Sequence, residues 1–176
     1  LAKYHTYFSR LLRKKAHVLS GEMEELLAGA SEVGEGARDI FMMFNNADIK
    51  FPVISGEDGE PVEVTHGRFI SLLESKDRRV REDAFCALYS VFRQFSNTVA
   101  ATYESNLKQA CFFAKTRKYG SSREFYLSGN EIPEAVYDNL LKTVEERMDL
   151  LHRYVKIRKE MLGVEELHMY DLYVPL

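Results

Sequence analysis

The chain has 176 residues, of which 45% are hydrophobic and 29% charged, with a net charge of −3. That is the balance of a globular protein long enough to bury a helical core. It excludes a general electrostatic pull toward nucleic acid, and no apolar run reaches the roughly 18 residues that a bilayer span requires.

In chain order, residues 4–14 read as an amphipathic helix. Ser20 is placed to cap a second helix, with Glu22, Glu24 and Glu25 at its positive end. The glycines of SEVGEGARDIFMMFNNAD predict a short break before a helix through Ile40, Phe41 and Phe44 that stops at the Asn pair. FPVIS and EPVEV flank GEDG, so residues 51–64 predict a β-hairpin. Thr65 and Asp77 are each placed to cap a helix. From Phe85 the positions Leu88, Phe92, Phe95, Val99, Tyr103, Leu107, Ala110 and Phe113 make one helical stripe, with a bend expected near Ser96 and Asn97.

Ser121 or Ser122 opens a short helix, and Pro133 suits the first position of a long one. Val136, Leu140, Val144, Met148, Leu151, Val155 and Leu162 are its expected buried stripe. Lys156, Arg158 and Lys159 favour its negative end, and Gly163 supplies a left-handed stop. The closing run LHMYDLYVPL alternates Tyr170, Leu172 and Val174 against Asp171 and Tyr173, which predicts a strand over about 168–175. The fold class expected is mainly α, with one hairpin and one terminal strand, read as a single helical lobe over 1–176 in which no internal boundary is placed.

Neither cysteine, Cys86 or Cys111, belongs to a C-x-x-C. Both are expected as buried thiols in a reducing, cytoplasmic setting. The five histidines include no pair spaced for a zinc helix, and H-E-x-x-H is absent. Two Glu-x-x-His pairs, Glu63 with His66 and Glu165 with His168, have the spacing used in di-metal helical bundles. The first straddles a predicted strand end and the second follows the Gly163 stop, so neither lies within a helix. The basic run KDRRVR, residues 76–81, reads as a solvated helix start. No metal site and no catalytic residue is assigned to the chain.

The segments LRKKAHVLSGEMEELLA, DIFMMFNNADIKFPVISGEDGEPVEVTHGRF, SKDRRVREDAF, FFAKTRKYGSSREFYL, IPEAVYDNLLKTV and LGVEELHMYDLYVPL occur in that order. Together they resemble the N-terminal and middle part of the oligoendopeptidase F family, zinc metallopeptidases related to thimet oligopeptidase. The resemblance implies the helical lobe of a zincin-like oligopeptidase that hydrolyses short peptides. It also implies that the zinc ligands and general base come later in such a polypeptide, so no family ligand maps onto a residue here.

A chain that starts at Leu1 and closes on an apolar, half-aromatic run is expected to be a piece of a larger protein whose missing catalytic half is its partner. Tyr170, Asp171 and Tyr173 adjoin that half and are the candidate substrate-groove residues. Exposed apolar surface is expected where the other half would pack, with self-association as its consequence. The alternative is a free-standing, non-catalytic helical interaction module.

Overall fold

The computed structural model describes residues 2–176. They form, in order, α1 (His5–Lys15), α2 (Gly21–Met43), β1 (Val53–Ser55), β2 (Pro61–Glu63), α3 (His66–Leu73), α4 (Arg78–Gln94), α5 (Ser96–Thr116), α6 (Ser122–Gly129), α7 (Glu134–Glu145) and α8 (Met148–Leu162). A π turn, Phe44–Asp48, follows α2, and a 3-10 turn, Met169–Asp171, follows α8. Capping chemistry sets several helix starts. Thr65 accepts from the Arg68 N–H at 3.2 Å, Asp77 from Arg79 N–H at 2.9 Å and Ser121 from Glu124 N–H at 2.9 Å. Each satisfies a donor that the first turn leaves without a partner. Gly163 ends α8 at φ 64° and ψ 28°, the left-handed region a side chain resists.

Two compact units are present: the chain up to Met42 with Ala100–Lys142, and Met43–Val99 with Thr143–Leu176. In the first, Leu27, Ala110 and Ala114 are buried. Arg117 grips Glu24 with two hydrogen bonds, at 2.9 and 2.8 Å, which ties the end of α5 to the start of α2. His17 stacks on Tyr119 with ring centroids 3.6 Å apart. The predicted break at Gly34 and Gly36 does not occur, and α2 runs unbroken through both. An interior glycine costs only about 1 kcal/mol relative to alanine, too little to halt a long helix. Gly34 is instead a point of close approach, where a Cβ would lie 2.6 Å from the Gln109 amide.

In the second unit the hairpin pairs Val53 with Glu63, Ile54 with Val62 and Ser55 with Pro61. Gly59 turns the chain at φ 84°, and Glu60 N–H donates to Asp58 Oδ1 at 3.0 Å. Two strands alone are marginal in water; these are backed by α4. Phe51, Val64, Ala87 and Leu88 form the buried cluster, with Ile54, Phe69, Leu72 and Phe92 around it. Burying a side chain of the Val64 or Leu88 class contributes about 1.5–3 kcal/mol.

Four other expectations are corrected. The stripe from Phe85 is divided between α4 and α5 at Phe95, one residue before the predicted bend. The helix predicted from Pro133 to Leu162 is two helices, α7 and α8, with a turn at residues 146–147, and Val136, Leu140, Val144 and Leu151 are exposed rather than buried. Cys86 and Cys111 are likewise exposed free thiols. The terminal strand over 168–175 is replaced by the 3-10 turn and bends, because Asp171 is drawn inward to two arginines.

Candidate functional site

Asp171 has no exposed surface. Arg78 and Arg81, one helical turn apart at the start of α4, present their guanidinium groups on one face. Arg78 donates from Nε to Asp171 Oδ1 at 3.3 Å and from Nη2 to Oδ2 at 3.1 Å. Arg81 Nη2 donates to Oδ1 at 2.8 Å, and the His168 N–H to Oδ2 at 3.0 Å. Each carboxylate oxygen therefore accepts two bonds. Burial is the largest single influence on Asp171 and pushes its carboxyl up. The bonds from Arg78, Arg81 and the His168 N–H outweigh it, so the group lies below the ordinary carboxylate value.

The arginines are themselves anchored. Arg81 donates to the carbonyls of Ser75 and Lys76 at 2.8 and 3.1 Å, and Arg78 to that of Glu166 at 2.8 Å. Arg79, between them and facing another way, joins α4 to the hairpin through the carbonyls of Ser55 and Gly56 at 3.0 and 2.9 Å. KDRRVR is thus not a solvated helix start. Its i, i+3 arginine spacing was the signal for the clamp, and its acidic partner lies too far along the sequence for a local pattern to reveal.

Tyr170 is buried beside this clamp. The Arg78 guanidinium sits 5.4 Å from its ring centroid, His168 stacks at 5.0 Å and Phe85 meets it edge-on at 6.0 Å. Burial first, and then the charge of Glu82, raises its phenol above the ordinary value. Val174 is buried too, whereas Tyr173 is 52% exposed. Of the three groove candidates, then, Tyr170 and Asp171 face inward and Tyr173 faces solvent. Arg158 of α8, which sequence reasoning assigned to a helix end, is buried against the same segment.

The Glu-x-x-His residues do not come together. His66 Nε2 lies 3.2 Å from the Asn45 carbonyl and its ring packs on Phe51, while His168 stacks on Tyr170. Among the described residues no three His, Cys, Asp or Glu side chains converge as a metal site, and no helix is long and apolar enough to cross a membrane.

Residues 71–175 match the family described as peptidase family M3, and residues 1–51 match the one described as oligopeptidase F. The chain belongs to peptidase family M3. Over its whole length it is 49% identical to group B oligopeptidase PepB of Streptococcus agalactiae and 47% identical to oligopeptidase PepF of Bacillus subtilis, covering 29% and 26% of those proteins. It superposes on the crystal structure of oligoendopeptidase-F from Enterococcus faecium with a TM-score of 0.94 and 52% identity, over 99% of this chain and 34% of that one. On a putative peptidase from Chlamydophila abortus the TM-score is 0.95 with 27% identity, over 100% of this chain and 30% of that one. This M3 chain thus spans 26 to 34% of the length of those four relatives.

Proposed function

We propose that this chain is the helical scaffold and part of the groove wall of a longer zinc-dependent oligoendopeptidase that hydrolyses short peptides in the cytoplasm. The observation that carries the reading is the M3 match over residues 71–175, together with superposition on an oligoendopeptidase-F at 52% identity. The residues present do not fit a zinc ion. The sequence has no H-E-x-x-H, and among the described residues no cluster supplies the three or four N, O or S donors that zinc takes. Ligands and general base would therefore come from residues outside these 176, and this chain's contribution is to bind and restrict. The cytoplasmic assignment rests on the sequence reading of Cys86 and Cys111, neither of which belongs to a C-x-x-C, as thiols of a reducing compartment.

Within the wall, Tyr173 is the side chain that would touch substrate, since it alone of the three groove candidates is exposed. A tyrosine offers a peptide both a flat apolar face and a hydroxyl. Tyr170 and Asp171 would act from beneath, by fixing the segment that carries it. Substituting Tyr173→Ala in the longer peptidase and profiling cleavage of a mixed oligopeptide library tests this. A changed preference among peptides is expected; an unchanged profile contradicts the groove assignment.

A further inference from the structure

We propose that Arg158 is a positioning residue that fixes the Tyr173 side chain for peptide binding, an inference that rests on the groove assignment above. Arg158 lies near the end of α8, yet it is only 5% exposed, and its guanidinium reaches carbonyls beyond the helix. Nε donates to the Asp171 carbonyl at 3.0 Å, Nη2 donates to the Val174 carbonyl, and Nη1 reaches the Tyr154 hydroxyl at 3.4 Å. One planar guanidinium thus fastens two carbonyls three residues apart. Its fork is rigid by delocalisation, so the spacing of the two carbonyls is fixed with it.

Between those carbonyls the chain forms an arch of Leu172 and Tyr173. Asp171 is held a second time through its side chain by Arg78 and Arg81. At the other end Val174 is 4% exposed, a second anchor. Leu172 is half-buried, and Tyr173 is the one residue of the arch that presents its side chain to solvent. Taking a guanidinium out of water is costly, and a lysine or arginine that merely balanced the helix dipole would remain solvated. Here that cost is met for a single segment, the one carrying the exposed ring. Order imposed on the arch by folding need not be imposed again when a peptide binds, which favours affinity.

Two measurements test the role. The chain contains no tryptophan, so Tyr173→Trp introduces a single indole whose steady-state anisotropy reports its local motion. Adding Arg158→Lys, which cannot span both carbonyls, is expected to lower that anisotropy with the far-ultraviolet circular dichroism unchanged; an unchanged anisotropy overturns the proposal. In the longer peptidase, Arg158→Lys and Tyr173→Ala are each expected to raise KM for an oligopeptide about tenfold, the scale of one lost hydrogen bond, with kcat within about twofold. The double variant should be no worse than the poorer single one. If Tyr173→Ala raises KM but Arg158→Lys does not, or the two effects multiply, the groove assignment stands and the positioning role falls. If Tyr173→Ala leaves KM unchanged, both fall. Arg158→Gln, which keeps one donor group, serves as the second variant should Arg158→Lys fold poorly.

Discussion

Arg81 and Asp171 meet at 2.8 Å across 90 positions of sequence, each with almost no exposed side-chain surface. Breaking a buried, hydrogen-bonded ion pair from one side leaves the other charge uncompensated, at a cost of about 3–5 kcal/mol. Asp171→Ala strands two arginines and is expected to destabilise the chain by that amount in urea unfolding. The double substitution Arg81→Met with Asp171→Leu should recover part of the loss, because no buried charge then lacks a partner at that position. Equal stability for Asp171→Ala and the parent contradicts the clamp.

Acid stability follows from the same carboxylate and from a second one. Asp171 sits below its ordinary value of 3.8, and Glu131 is pushed down from 4.5 to about 2, first by the hydrogen bond from Arg13 and then by that from Arg10. A carboxyl whose folded value is depressed stabilises the fold fully above its unfolded value, and the contribution is lost as pH falls through the folded one. Stability is therefore expected to drop below about pH 4.5, with Glu131→Gln flattening the part between 4.5 and about 2. Glu131 and its partners are exposed, so salt at about 1 M should erase its share while leaving that of the buried Asp171. Urea midpoints measured at two acid pH values with and without salt check both statements.

The thiols give a chemical check on the helix faces. Cys86 and Cys111 are both exposed and unpaired, so both should react with an aromatic disulfide reagent in the native protein. Fewer than two equivalents released without denaturant would contradict the placement of α4 or α5.

On α8, Leu150, Tyr154, Ile157 and Met161 form one exposed stripe at helical spacing. Contiguous apolar surface of this kind drives association. The chain is expected to self-associate as concentration rises, and Leu150→Glu with Ile157→Glu to suppress it, as read by light scattering. A parent that stays monomeric at all concentrations contradicts this.

Much of the fold was legible in local sequence because local chemistry decides it. Thr65, Asp77, Ser121 and Gly163 announce helix ends through hydrogen bonds and backbone preference within a few residues, and GEDG announces the hairpin. The misreadings share a cause. Gly34 suggested a break, but what it accommodates is Gln109, far away in sequence. The turn at residues 146–147 contains neither glycine nor proline, so no breaker marked it. Tyr170 to Val174 alternate like a strand, yet Asp171 is pulled inward by partners some ninety positions earlier and curls the segment. Arg158 read as a helix-end charge because its acceptors, the carbonyls of Asp171 and Val174, carry no sequence signature at all.

The proposed role of this chain is to wall a peptide groove and to leave hydrolysis to residues outside it. Its most direct test is turnover of a quenched fluorogenic oligopeptide with added zinc, comparing the purified 176-residue chain with a longer M3 polypeptide that contains it. The longer protein should cleave the peptide and lose that activity to a chelator, while the chain alone gives no turnover above buffer. Chelator-sensitive cleavage by the chain alone, free of contaminating protease, would contradict the account.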